Sequence, residues 1–494
     1  MKNYVLRFGS FLLLLIFLMT ISIPVRALPP SGWSTGIKLQ NLSTSDTGNI
    51  EIQLYNSDGT LGPVISTTST GDPLSVAPLK SVEVYLPAYG SISGGQYSAA
   101  ISSSVPLGAV ATMTNYENGV ADTYISMEPS TEVLIPYIYH EHNNWGTELF
   151  IQNTTNSPIT TGSIILEEPV GGASSSDGLG NQTVPFTIPE NGTYHFNVQD
   201  HPSLGWFIGA AKITANQTVA VASNQLRLVG PGDIPGNVLI QGRGLTSIDY
   251  GSKIMMPSLY KGWTSNGTWN SGIKLQNPGA SSVNVVVTIK ADSDSPIAPF
   301  SGTKALEIPA GGNAELYLPG VVLDGSVTVP DMFKGSAVIE VTGGVVIASA
   351  QNVNYGAAGY GVAVGYSGFA IGSSSISLPS LYRWPSGAGI WISGIKVQNL
   401  GNDQITVNIN LNSDPDVAPW TGTKTGIVLN PGEAAELYLG ADGNLDGGAS
   451  VPTPWKGSAS VLATGTGEVK AVATVIHTNY GRHVANMYTG IPIE

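Results

Sequence analysis

The chain has 494 residues, a formal net charge of −14, only 11% charged residues and no cysteine. This balance does not suit nucleic acid or an anionic lipid surface, because the phosphate contacts that dominate such binding need clustered Lys and Arg, and no basic cluster occurs. Disulfides cannot staple the fold, so each folding unit must be held by its own packed core.

In chain order, the first predicted element is a secretory signal peptide over residues 1–27. Lys2 and Arg7 precede the apolar run FLLLLIFLM (11–19), and Val25 and Ala27 stand at −3 and −1 of a cleavage point. The run is short of the ~20 residues that a bilayer span needs. The expectation is a secreted chain with no membrane insertion after cleavage, and the closing GIPIE (490–494) carries no recognisable sorting signal.

Beyond the leader one nonapeptide recurs: WSTGIKLQN (33–41), WGTELFIQN (145–153), WNSGIKLQN (269–277) and WISGIKVQN (391–399). Its terminal residues Asn41, Asn153, Asn277 and Asn399 are 112, 124 and 122 residues apart. That period is the length of a small domain and far exceeds a solenoid unit. Four tandem domains follow, over residues 28–130, 131–250, 251–375 and 376–494, the second being divergent.

Within the fourth repeat, QITVNINLN (404–412) alternates apolar and polar residues with the period of a half-buried strand. It is followed by a strand–turn–strand unit, LNPGEAAELYL (429–439), then KGSASVLATG (456–465) and AVATVIHTNY (471–480), with a last strand around Tyr488. The third repeat matches with IPAGGNAELYL (308–318), KGSAVIEVTG (334–343) and IASAQNVNY (347–355), and the segments LPSLY (378–382), MPSLY (256–260) and IPYIY (135–139) lead their repeats. Seven or eight short strands per repeat with regular turn signals give an all-β fold of four immunoglobulin-like antiparallel β-sandwich domains, with a barrel as the alternative. In the nonapeptide, Ile395 and Val397 are expected to face in and Lys396 and Gln398 out. The Asn should cap its own turn.

The structural core candidates are Trp33, Trp145, Trp269 and Trp391, one per repeat; the competing reading is a sugar-stacking platform. Trp206, Trp384, Trp420 and Trp455 are less regular and better ligand candidates, although Phe300 and Phe333 match the last two. His140 and His142 form half a metal site that nothing nearby completes. The acidic turns DSDSP (292–296) and SDPD (413–416) offer calcium-type oxygens without the spacing of a dedicated loop. The second repeat departs most, with NQLRL (224–228) where others end in Asn-Tyr, yet no nucleophile, base and orienter assemble from it. No catalytic residue, metal or cofactor is therefore assigned, and ligand-binding residues stay unassigned.

The repeated W-x-x-G-I-K-[LV]-Q-N, AELYL, KGSA and closing Y-x-G motifs resemble those of uncharacterised tandem β-sandwich repeat proteins secreted by filamentous bacteria of the Chloroflexota. The resemblance spans nearly all of residues 28–494 and implies an extracellular surface or matrix protein; it carries over no catalytic residue. The expected function is that of a secreted, non-enzymatic structural or adhesive repeat protein that self-associates, as in filaments, or binds other cell-surface components. The alternative is an extracellular carbohydrate-binding protein whose partners are glycans. The expected shape is a semi-rigid rod of roughly 140 Å, with the two chain ends available for strand addition between molecules.

Overall fold

The computed structural model describes residues 32–493 apart from 118, 142–143, 170–180, 228–237, 265–266, 356–360, 387–388, 480 and 482–483. The leader over residues 1–27, His142 and His483 lie outside the described residues. Among the described residues the long elements are all β-strands, with only short 3-10 turns between them. Alternation is the cause: Val283–Ala291 buries Val283, Val285, Val287, Ile289 and Ala291 while Asn284 and Val286 look out, and Ile405–Ser413 repeats the pattern.

The third repeat has two antiparallel sheets. Lys253–Lys261, Phe333–Thr342, Val283–Ala291 and Ser301–Ile308 lie side by side in that order, and Asn313–Tyr317, Thr268–Gln276, Ile347–Tyr355 and Gly361–Ser367 form the other sheet. The first repeat keeps the second sheet's order with Ser81–Tyr85, Ser34–Asn41, Leu107–Asn115 and Val120–Ile125. In the fourth repeat the layers merge through the hairpin of Ser375–Ser386 and Gly389–Asn399. In the second they merge through Phe207–Arg227, a strand of 21 residues whose first half pairs in one layer and second half in the other. This order departs from the expected immunoglobulin-like one, where the first, second, fourth and fifth strands share a sheet. Here the chain turns over the rim of the unit after the first strand, so the second strand starts the opposite layer.

Among the described residues four large apolar cores result, each built mainly from one sequence repeat and centred on Ile52, Leu149, Val287 and Val407. The boundary at 130 falls at the start of Ser130–His140, that at 375 at the start of Ser375–Ser386, and that at 250 between Val238–Arg243 and Lys253–Lys261.

The repeats do not extend into a rod. Their last strands, Val120–Ile125, Val238–Arg243, Gly361–Ser367 and Val484–Thr489, gather round one axis, and each packs against two others in cyclic order. Repeat four thereby meets repeat one and the chain closes into a ring. The segment Ile491–Pro492, expected to reach a second molecule, instead pairs with Ile376 and Ser377 of its own repeat. Closure follows because the first and fourth repeats carry complementary halves of a seam and the linkers are too short to hold successive repeats apart.

Candidate functional site: the seams and the axial chamber

The recurring nonapeptide explains the seams. Its apolar residues face the core as expected, with Ile37, Leu39, Ile273, Leu275, Ile395 and Val397 buried. The terminal Asn does cap its turn: Asn41, Asn153, Asn277 and Asn399 accept from the backbone N–H two residues on, at 2.8, 3.0, 2.9 and 2.8 Å. Each also donates from Nδ2 to a backbone carbonyl at or beside the end of a neighbouring strand. The glycine meets a tyrosine on the adjacent strand, in the pairs Gly36–Tyr85, Gly272–Tyr317 and Gly394–Tyr438.

Lys and Gln of the motif do not face solvent. Lys38, Lys274, Lys396, Gln40, Gln276 and Gln398 are all buried, because the face they occupy is covered by the preceding repeat. Lys396 pairs with Asp292 of the third repeat at 2.6 Å and donates to the Gly335 carbonyl at 2.7 Å. Lys38 makes the equivalent pair with Asp414 of the fourth repeat, whose other oxygen accepts from Ser81 at 2.6 Å. Traffic runs the other way too. Lys334 reaches Glu436 at 3.1 Å and Lys456 reaches Glu83 at 3.0 Å. Burial alone would raise the Glu83 carboxyl, but Lys38 and Lys456 outweigh it and hold it below the ordinary range. The acidic turns considered for calcium are thus engaged by lysines: Asp292 and Asp414 as above, Asp294 by Lys334 and Asp416 by Lys456, both at 2.6 Å.

The second repeat breaks this pattern at both of its seams. Phe150 stands in the motif at the lysine position and stacks on His195, 4.6 Å away; a backbone bond from Thr193 to Ser57 at 2.9 Å joins this repeat to the first. Towards the third repeat, Ile208 occupies the place of Lys334 and Lys456, each being paired with the tyrosine of its leading strand. Lys274, without a counterpart of Asp292 or Asp414, has no hydrogen-bond acceptor for its Nζ and lies 6.0 Å from the Tyr137 ring centre. Burial, against the attraction of Glu315, brings it down to about 8. Nearby, Gln276 donates to Glu167 at 2.6 Å, and burial pushes that carboxyl up to about 7.

Trp145, Trp269 and Trp391 are buried and Trp33 is half-buried. Their surroundings are partly those of the following repeat: Trp33 clusters with Leu239, Trp145 with Ala363, and Trp391 with Ala121 of the first repeat, while the core containing Trp269 reaches Ala485 and Met487. They wedge seams next to the axis. Trp420 and Trp455 pack edge to face at 5.7 Å, as Phe300 and Phe333 do at 6.1 Å, and Trp384 lies under the Lys456 ammonium at 5.8 Å.

His140 is buried against the Gly205 carbonyl, and among the described residues no group of three metal-ligating side chains forms. Ser393 and His477 sit 2.7 Å apart and resemble a nucleophile and base, yet both are fully buried, and Ser393 Oγ also accepts from the Tyr382 backbone at 2.7 Å. Burial and, less so, Lys38 press the imidazole down to about 3. Ser271 and Asn352 make the same contact in the third repeat at 2.6 Å, so the pair pins two strands.

Sequence reasoning missed the axis. One level of it is apolar, formed by Ala121, Leu239, Ala363 and Ala485. The next two levels line a chamber of about 50 Å³: Thr123, Gln241, Gly365 and Met487, then Ile125, Arg243, Ser367 and Thr489. Asp122 ties the strands beside it, accepting from the backbone of Gln241 in the second repeat at 2.5 Å and of Met487 in the fourth at 3.3 Å. Burial holds its carboxyl well above the usual range despite these donors. The available signal was the second repeat's departure at its closing strands, which supply most of the chamber's large polar groups, Gln225, Gln241 and Arg243.

No family model and no curated protein matches the chain. Among solved structures it is similar to Thermotoga maritima 1070 at 15% identity and TM-score 0.19, over 24% of this chain and 93% of that one. A tetra-tandem repeat from the extending region of a large adhesion protein matches at 12% identity and TM-score 0.10, over 95% and 98% of the two chains. E. coli alpha-2-macroglobulin matches at 10% identity and TM-score 0.11, over 92% of this chain and 37% of its own. TM-scores of this size establish no common fold.

Proposed function

We propose that the chain is a non-enzymatic structural or adhesive protein working outside the cell, as a closed ring of four repeats. The observation that carries this reading is how the repeated residues are spent. Lys, Gln, Trp and the acidic turns, the most recurrent chemistry in the sequence, join one repeat to the next. Repetition is then explained by architecture. The outer surface is left to Gly, Ser, Thr and Asn, with few charges, and to one recurring aromatic: Tyr85, Tyr317 and Tyr438 are 45%, 44% and 40% exposed at the same place in three repeats.

Those tyrosines favour a second reading, glycan binding, since a partly exposed ring is a stacking surface for the apolar face of a sugar. Glycan-array binding of the intact protein, compared with the triple variant Tyr85→Ala, Tyr317→Ala, Tyr438→Ala, separates the two. Saturable binding lost in the variant supports the carbohydrate reading; adhesion to cells or matrix that the variant retains supports the structural one. Turnover of any substrate class by the purified ring would overturn both.

A further inference from the structure

We propose that the axial chamber is a binding site for a small uncharged polyhydroxyl molecule of glycerol size. Its walls differ from the level beneath, where four small or aliphatic residues meet. The second repeat places two long amides and the chamber's guanidinium there, Gln225, Gln241 and Arg243, while the third adds one amide, Gln351. Gly365 makes room beside them: a Cβ at this position would stand 2.6 Å from Ile240 Cγ2.

Four polar atoms of the lining residues are buried without a partner in the protein: Tyr137 Oη, Gln241 Oε1, Arg243 Nε and Ser349 Oγ. Gln241 is 3% exposed, and its Nε2 is already committed to Asn224 Oδ1 at 3.0 Å and Met113 Sδ at 3.1 Å, which fixes the carbonyl as the open end. A buried acceptor left in this state is costly, and a bound hydroxyl would satisfy it. The unmet set is one acceptor, one donor and two hydroxyls able to do either. An alcohol group meets each of these.

Charge argues against an anion. Arg243 is neutralised by Asp249, which takes Nη1 at 2.9 Å and also contacts Nη2, so little positive field remains for a carboxylate or phosphate. Size argues against a sugar ring. The volume of about 50 Å³, at roughly 10–15 Å³ for each water-sized position, accepts three to five such positions, which suits a polyol of three or four carbons. Ile125 and Met487 supply apolar wall for its C–H groups.

The test is saturation-transfer NMR on the intact chain prepared without polyols, titrated with glycerol, erythritol and, separately, formate. The expected result is a saturable glycerol signal displaced by erythritol and not by formate. In Gln241→Leu the glycerol affinity should fall about tenfold, the loss of one satisfied buried hydrogen bond. Ser349→Ala, a change too small to disturb the strand, should weaken it about threefold and cover the case in which Gln241→Leu fails to fold. A glycerol signal that rises without saturation, one unchanged in Ser349→Ala, or displacement by formate would overturn the proposal.

Discussion

Lys38 and Asp414 stand 376 residues apart in the chain and form a buried ion pair between the first and fourth repeats. The linker-free seam of the ring rests on this pair, on Lys456 with Glu83 and on Ser377 with Gln40. Removing one partner of a buried pair strands the other charge in a poorly solvated place, at a cost of about 3–5 kcal/mol. Lys38→Ala should therefore destabilise the protein by that order in denaturant unfolding. Lys38→Met with Asp414→Leu, which removes both charges, should recover most of the loss. A Lys38→Ala protein as stable as the parent would mean that the seam is not closed in solution.

The second–third seam should respond to pH near neutrality. Glu167 has its carboxyl raised by burial to about 7 from 4.5, so the folded state holds a proton there that the unfolded chain releases. Stability from this group is complete below about pH 4.5 and is lost as pH rises through about 7, a change on the order of 3 kcal/mol. Glu167→Gln should flatten that part of the pH–stability curve and make the protein more stable than the parent at pH 8. An unaltered curve in the variant would assign the slope to other groups.

Trp391 belongs to an apolar cluster shared by the fourth repeat and Ala121 of the first, and its Nε1 donates to Tyr116 at 3.3 Å. Trp391→Ala should cost about 3–5 kcal/mol, as large-to-small changes at buried sites do. The effect should be smaller for Trp33→Ala, since Trp33 is only half-buried. Ready oxidation of Trp391 in the folded protein would contradict its placement and favour a sugar-stacking role.

How far this was legible in the sequence depends on which neighbour a residue faces. Alternation within Val283–Ala291 or Ile405–Ser413 reports a contact inside one repeat, and it gave strand, register and core directly. The Asn of the nonapeptide is likewise local, because its partner N–H lies two residues on. Lys396 reads as a solvated residue by the same alternation, since no pattern within its own repeat reveals that another repeat covers it. The acidic turns carried the missing half of that information: DSDSP and SDPD recur only in the repeats whose successors keep the lysine. The ring itself depends on the angle between successive repeats, a quantity that side-chain periodicity does not encode.

Asp122 offers a probe of the axis independent of the outer seams. Its side chain accepts from Gln241 and Met487 backbone N–H groups of two different repeats. Asp122→Ala leaves both donors buried without an acceptor, at about 1–3 kcal/mol each. Hydrogen exchange at those two amides should accelerate while exchange in the third repeat's Val283–Ala291 strand stays slow. Equal acceleration everywhere would show that Asp122 supports a global unfolding unit and not the axial junction alone.

The overall shape follows from the same contacts. A compact body of this length has a radius of gyration of about 23 Å, whereas four domains end to end over roughly 140 Å would give about 40 Å. Scattering from the intact chain should therefore return the smaller value. Like charges placed at the closing seam should open it: Lys38→Glu faces Asp414, and Lys456→Glu faces Glu83 and Asp416. The remaining seams keep their linkers, and Lys396 with Asp292 and Lys334 with Glu436 are untouched. The double variant should thus stay folded within each repeat while its radius of gyration rises towards the extended value. It should do so more at low salt than at high salt, because screening weakens the repulsion. A parent near 40 Å, or a folded double variant with the parent's compact radius at low salt, would show that these ion pairs do not hold a closed ring together.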